Sequence, residues 1–563
     1  MIPRLSRAAA APANMQRSSS SSSTAAGAAA GASRRSFRRP SVAARGERRS
    51  ANRTKWTTGG KDSSASSTAT LERSSSDPHA TEEPTTAAPP SSASDLVWRC
   101  AAELQPVFAQ VDRLVHANLS RCQRAFRAAR VGPHHFAGST GYGHGDLGRE
   151  ALDSLVAELM GAEAAIVRPH LMSGTHAIAA GLFGALRPGD ELLAVVGAPY
   201  DTMEEVIGLR GRGQGHGSLA EWGVSYRQLE LSPPVTGGID WQALETAVKP
   251  GVTKVVHVQR SCGYALRPTL SVREIARVVE CVKRQDPDAI VAVDNCYGEF
   301  TERLEPCAVG ADLVMGSLIK NAGGTLAPCG GYVAGRKDLV AAAAARMSAP
   351  GVGMDAGAVD GATMRLMFQG LFMGPQATGE ALKGGRLVAE VMAREGYTVV
   401  PLPSSDEIRR RGGGGGGGAD STNLLPTPPS MITAVELGTR RRMVAFCRGI
   451  QRACPVGSYV LPEPGVTAGY SDEVIFADGT FVDGSTAELS ADGPVRPPYV
   501  VYCQGGTHWT HWALALESAV EELRMEREKE AEEGARMQGR EERRLKAEAA
   551  AQARAAAAAA ASN

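Results

Sequence analysis

The sequence predicts an α/β fold, with a mainly parallel sheet flanked by helices and a smaller α/β domain later in the chain. Three observations carry this expectation. Apolar runs of strand length alternate with helix-length segments through the middle of the chain. Two of those runs, Ile290-Val291-Ala292-Val293-Asp294 and Ala311-Asp312-Leu313-Val314-Met315-Gly316, are nearly continuous, as strands buried on both faces must be. Each run stops abruptly at polar residues, the mark of a strand end that opens on a site.

The elements follow in order. A helix is expected over 95–130, where Leu96, Val97, Leu104, Val107, Val111, Leu114 and Val115 make a broad apolar face. A glycine-rich loop over 138–148 precedes a helix over 152–160 and a strand around Ile166. Next come a small-residue helix over 175–186, a strand over 191–196, and a turn into a helix through Glu204. Strands over 224–231 and 254–258 alternate with helices over 241–248 and 271–283, and Tyr332-Val333-Ala334-Gly335 adds a strand returning across the sheet. The smaller domain is expected from 374 to 518, with a helix over 377–395 and a strand over 431–436. A Gly/Pro-rich insertion over 404–430 interrupts it; seven consecutive glycines without a strand-Gly-Lys-Ser context make a flexible linker, not a phosphate loop.

The ends are different material. Residues 1–94 are rich in Ser, Ala and Arg, and Glu47 is the one acid in the first 60. With few large apolar residues and no continuous apolar segment after the first arginines, this arm reads as a disordered transit peptide for a plastid or mitochondrion rather than a secretory signal. Residues 519–563 mix Glu, Arg, Lys and Ala and predict a solvated helical tail. The 95–373 segment remains as the larger domain.

Composition excludes several classes. A chain of 563 residues with a net charge of +1 gives no argument for nucleic acid as a partner. No apolar stretch approaches the roughly 18 residues of a spanning helix. The ten cysteines include no Cys-x-x-Cys pair, and His134-His135 and His508-Trp509-Thr510-His511 stand outside any cysteine or carboxylate constellation, so no metal site is expected.

The chemistry gathers at strand ends. Lys320, in Ser317-Leu318-Ile319-Lys320-Asn321-Ala322-Gly323-Gly324, places an amine beside a hydroxyl and glycines. Partial desolvation and neighbouring cations there would keep some amine unprotonated, as a lysine forming a Schiff base with pyridoxal phosphate requires. Asp294 ends the preceding strand, where a carboxylate can pair with a pyridine nitrogen or simply cap the next helix. Ser173-Gly174-Thr175 opens a helix whose free N–H groups suit a phosphate, although the same tripeptide serves as an ordinary cap. Tyr200, in Pro199-Tyr200-Asp201-Thr202, can stack on a planar ring or pack against the fold.

With these motifs, and with Gly141-Tyr142-Gly143-His144-Gly145-Asp146, Val258-Gln259-Arg260-Ser261-Cys262-Gly263-Tyr264 and Ser490-Ala491-Asp492-Gly493-Pro494-Val495-Arg496-Pro497-Pro498-Tyr499, the chain resembles fold-type I pyridoxal-phosphate enzymes of cysteine and methionine metabolism. Within them it is most similar to the cystathionine β-lyase/methionine γ-lyase-like branch known for aluminium resistance. The resemblance implies that Lys320 holds the cofactor and moves protons, Asp294 pairs with its ring nitrogen, and Ser317 with Ser173-Gly174-Thr175 binds its phosphate. Tyr200 would stack on the ring, and Tyr142 would reach a partner subunit's phosphate in a homodimer or homotetramer with shared sites. Where such enzymes carry Tyr-x-Arg, this chain has His144, and Ile319 stands where they carry a threonine.

The reaction so implied begins with removal of the α-proton of a small amino-acid substrate, followed by β- or γ-elimination of a thiolate, and Lys320 is the candidate base. Arg496 is the expected fork for the substrate carboxylate, with a structural role as its alternative. Two other functions fit the same residues: a pyridoxal-phosphate-binding stress-tolerance protein without lyase turnover, and a fold-type I transaminase.

Overall fold

A computed structural model describes residues 92–211, 215–232, 238–404 and 429–561. The expected targeting arm and the 404–430 insertion fall almost wholly outside them. Seven strands form the larger sheet: β1 (Ala164–Arg168), β2 (Glu191–Ala194), β3 (Ser225–Gln228), β4 (Thr253–Gln259), β5 (Ile290–Asp294), β6 (Leu313–Ser317) and β7 (Gly331–Gly335), in the order β1-β7-β6-β5-β4-β2-β3. The run from β6 to β3 is parallel, and β7 lies antiparallel between β1 and β6 as the returning strand.

Register explains why the strand ends matter. β4 and β5 pair Gln259 with Asp294, and β5 and β6 pair Asp294 with Met315, so all three chains leave the sheet along one edge. Alternation then sorts the apolar side chains. Val256, Val258, Val291, Val293 and Val314 pack on one face, and Val255, Ile290, Ala292, Leu313 and Met315 on the other. That two-sided burial accounts for the continuous apolar runs.

A second, antiparallel sheet is built from β8 (Thr398–Val400), β9 (Ile432–Glu436), β10 (Val474–Ala477), β11 (Ser490–Pro494) and β12 (Val500–Gln504), ordered β10-β11-β12-β9-β8. Helices Gly361–Arg394, Arg440–Ala453 and Trp509–Ala561 cover one of its faces through Leu387, Val391, Phe446, Ile450, Trp512 and Leu516. The other face carries Ile432, Ala434, Val500 and Tyr502 toward Cys262.

Three elements depart from expectation. The helix over 95–130 is two helices, Ala93–Glu103 and Gln105–Ala128, because Pro106 sits in the first turn of the second, where its missing N–H is tolerated. The helix expected at 377 begins at Gly361 and runs 34 residues through Pro375. Its glycines permit close contact rather than breaking it: a Cβ on Gly370 would lie 2.1 Å from the Gly323 carbonyl oxygen, and one on Gly374 2.9 Å from that of Asn321. The helix therefore lies directly against the turn that follows Lys320. The tail helix starts earlier than expected, at Trp509, and its first turns are core rather than solvated: Ala515, Leu516, Ala519, Val520 and Leu523 are fully buried.

Beyond them, ion pairs from Arg441 to Glu526 and Glu533, and from Arg442 to Glu530, hold the tail against its neighbour at 2.6 Å each. Past that point side chains are exposed. Removing residues 545–563 is expected to leave the thermal unfolding midpoint within about 2 °C of the parent, since exposed helical ion pairs contribute little; a larger drop would show that the tail's end is docked. Among the described residues no helix is long and apolar enough to cross a membrane.

Candidate active site

The strand ends of the larger sheet and the open face of the smaller one enclose a cavity of about 270 Å³. Ser173, Gly174, Thr175, Tyr200, Asp294, Ser317 and Lys320 all line it, so seven residues singled out from the sequence meet in one place.

Ser173 caps the Gly174–Ala185 helix, its hydroxyl accepting from the His176 N–H at 3.0 Å. The first-turn N–H groups have no carbonyl partner within their own helix and face the cavity with a partial positive charge. Gly174 lets that turn approach β6: a Cβ there would lie 3.1 Å from the Ser317 Cβ and 3.3 Å from the Cys296 sulfur. Ser317 Oγ is buried without a hydrogen-bond partner, a donor waiting for an acceptor in the cavity. Thr175 and Thr202 share a hydroxyl–hydroxyl bond of 2.9 Å beside it. This cradle fits a phosphate group by its chemistry.

Asp294 is buried, and one of its oxygens accepts from the Cys296 N–H at 3.0 Å. Behind it on β4, His257 is wholly buried, and burial holds the ring below the usual histidine range although Asp294 pulls the other way. A neutral imidazole beside Asp294 leaves that carboxylate free to pair with a cationic ring nitrogen. Cys296 and Cys262 are both buried thiols, as packing cysteines should be.

Lys320 departs from expectation in its electrostatics. Its amine lies 3.8 Å from the centre of the Tyr297 ring. Burial disfavours the ammonium, but Tyr297, Cys296 and Asp294 outweigh it and hold the amine above the usual lysine range. The neighbours are electron-rich groups, not the cations expected from sequence, and Lys320 is the one side-chain cation among the described lining residues. Tyr297 itself has a positive φ of 68°, a conformation costing about 1–3 kcal/mol in a non-glycine residue.

The Tyr200 hydroxyl pairs with that of Tyr470 at 2.7 Å, and its backbone N–H donates to Gln259 at 2.8 Å. Burial pushes that hydroxyl well above the usual tyrosine range, so it stays an O–H donor. With Tyr264, Tyr470 and Tyr502 it forms an aromatic wall, ring centres 5.1–6.1 Å apart.

Two predicted residues lie elsewhere. Arg496 is half exposed, paired with Asp472 at 2.6 Å, and borders a separate groove with Tyr264 and Pro498 rather than the cavity. Tyr142 is 75% exposed, stacked on His144, and does not line its own chain's cavity. The 138–148 loop is braced within its own chain. His144 and the buried Arg149 both bind Asp355, the Gly357 N–H donates to the Tyr142 carbonyl at 3.1 Å, and Ser139 bonds to Asp146.

Below the cavity Glu299 is fully buried, with one oxygen accepting from the Tyr332 hydroxyl at 2.7 Å and the other unpartnered. Burial pushes its carboxyl up to about 8. The unfolded carboxyl loses its proton near pH ~4.3, so between there and pH 8 the native state binds more protons and stability falls as pH rises. Glu299→Gln is neutral throughout. It is expected to gain about 3–4 kcal/mol relative to the parent on moving from pH 5 to pH 8 in urea unfolding; an equal difference at both pH values would refute the assignment.

Sequence reasoning missed the side of the cavity formed by the smaller sheet: Tyr264, Tyr470, Asp478, Asp492 and Gln504. The one available signal was alternation. Ser490 and Asp492 on β11, facing Gln504 and Tyr502 on β12, place four polar or aromatic side chains on one face.

Comparison with known proteins places this geometry. The methionine gamma-lyase family model matches residues 93–411 and 422–524. The chain is 44% identical over 422 residues, 75% of its length and 94% of the relative's, to the uncharacterized protein YnbB of Bacillus subtilis (strain 168). A carbon-sulfur lyase involved in aluminum resistance from Clostridium novyi NT is 38% identical with a TM-score of 0.68, covering 76% of this chain and 95% of the other. A Listeria innocua protein linked to aluminum resistance is 40% identical with a TM-score of 0.69, covering 77% and 99%. The chain belongs to the methionine gamma-lyase family, a carbon–sulfur lyase family of fold-type I pyridoxal-phosphate enzymes.

Proposed function

We propose that this chain is a pyridoxal-phosphate-dependent carbon–sulfur lyase that eliminates a thiol from a sulfur-containing amino acid. The observation that carries the reading is the meeting of Lys320, Asp294, the Ser173-Gly174-Thr175 turn and the unpartnered Ser317 hydroxyl around one cavity. Lys320 would hold the cofactor, Asp294 its ring nitrogen, Ser317 and the helix N-terminus its phosphate, and Tyr200 the ring face. When bound, that cofactor supplies an electron sink for the carbanion left by loss of the α-proton.

The chain's own groups supply the rest. The Lys320 amine, in the same cavity, is the group placed to take the α-proton and to return one to the departing thiolate or the substrate carbon. Tyr200 and Tyr470 offer O–H donors, and the aromatic wall keeps water from the reacting carbon. Tyr142 stands exposed on the braced loop, and we assign it to the phosphate of a partner subunit in a shared-site oligomer.

The test is incubation of the cofactor-loaded protein with a panel of thioether amino acids, following keto acid, thiol and ammonia together. Equal amounts of all three are expected. Pyruvate from S-alkylcysteines marks β-elimination, and 2-oxobutyrate from methionine-type substrates marks γ-elimination. Keto acid without thiol would instead point to transamination, and no product from any member of the panel would overturn the lyase reading.

A further inference from the structure

The cavity has a second polar region that the lyase reading leaves unused. Asp492 projects into it from β11, only 6% exposed; Oδ2 accepts from Gln504 at 2.8 Å, and Oδ1 has no hydrogen-bond partner. Ser490, two residues earlier on the same strand face, and Ser485 are 2% and 1% exposed and line the same cavity with unpartnered hydroxyls. Asp478, at the end of β10, adds a second carboxylate, and among the described residues no ion pair reaches either acid. A buried carboxylate without an ion-pair partner is costly. Burial pushes Asp492 up to about 7, with Tyr264, Lys320 and Gln504 pulling it back and Asp478 adding to the rise.

We propose that Asp492, with Asp478, forms a cation-recognising subsite that receives a protonated amine at the far end of the substrate's side chain. The inference rests on the reading of this cavity as an amino-acid site and narrows its substrate class. The cradle on the larger sheet takes the α-amino end. The smaller sheet then offers two carboxylates and two unpartnered serine hydroxyls to whatever the side chain carries, which is the donor-seeking complement of an ammonium. A short alkyl thioether would leave those groups unsatisfied, and such a mismatch is what makes a polar pocket selective.

The test compares L-lysine with L-norleucine, which carries the same four-carbon side chain without the terminal ammonium; neither contains sulfur to eliminate. Calorimetric titration of the cofactor-loaded protein is expected to show lysine binding about tenfold tighter, the order contributed by one charge-assisted hydrogen bond. Asp492→Asn, which keeps shape and removes charge, should reduce that preference to about twofold or less, with norleucine as internal reference. Asp478→Asn, at a less buried position, should lower it part of the way and covers the case in which the first variant does not fold. Equal affinity for the two ligands in the parent, or a preference that survives both substitutions, would overturn the subsite. Thiol release from S-(2-aminoethyl)-L-cysteine and S-propyl-L-cysteine separates the two readings. A lysine preference without thiol from either compound sinks the lyase assignment alone, whereas thiol from both at equal rates, with no lysine preference, sinks the subsite alone.

Discussion

Replacing Lys320 by alanine is expected to lower thiol release by about a thousandfold, within the range that a positioned acid or base contributes. The expectation comes from position and from the absence of a substitute. Lys320 is the one amine among the described lining residues, and Tyr297, Cys296 and Asp294 stand around it. The fold should survive, because the variant removes a buried ammonium rather than a packed apolar group. Lys320→Arg keeps a charge but neither forms the same covalent bond nor gives up its proton, and it should fail to rescue. Rescue by arginine would reduce Lys320 to an electrostatic role, and turnover surviving in the alanine variant would remove it from the mechanism.

The largest expected effect on stability lies one layer below, at Arg260. This side chain is 1% exposed and fans across the turn after β5. It donates to Asn295 Oδ1 at 2.8 Å, the Gly298 carbonyl at 2.9 Å, Glu302 at 2.8 Å and the Leu270 carbonyl at 3.2 Å, with Glu305 at 3.6 Å. Glu305 is fully buried, and burial already raises its carboxyl while Arg260 opposes the rise. The same turn holds Tyr297 and Phe300 at positive φ, so the arginine fastens a strained backbone directly beneath Lys320. Arg260→Ala is expected to cost about 3–5 kcal/mol in urea unfolding, because it strands a buried carboxylate and releases the turn. Arg260→Lys, a point charge in place of a fan, should fall between. An alanine variant within about 1 kcal/mol of the parent would show that the turn is held elsewhere.

The Lys320 side of the cavity was legible in the sequence for a physical reason. Parallel strands buried on both faces leave apolar runs that end sharply, and the polar residues at those ends, Asp294 and Ser317 with Lys320 just beyond, are delivered to one edge by the register. The Ser173-Gly174-Thr175 turn announces itself as a cap before a small-residue helix. Asp492 falls in a stretch that carries the family resemblance, yet nothing local gives it a role: it sits between Ala491 and Gly493 on an antiparallel strand, 172 residues from the lysine whose cavity it shares. Arg496 was chosen for its chemistry, but it belongs to the turn beyond β11 and spends its charge on Asp472. The Gly361–Arg394 helix was read too short because glycine and proline look like punctuation; close backbone contact with the Lys320 loop, which only the fold reveals, is why they are there.

The central claim is that Lys320 carries the cofactor, and one measurement reaches it directly. The protein loaded with pyridoxal phosphate is reduced with borohydride, digested, and its peptides mapped by mass. Loss of the visible absorbance and a single pyridoxyl adduct on the peptide containing Lys320 are expected. An adduct on a different lysine, or none although the cofactor was supplied, would contradict it.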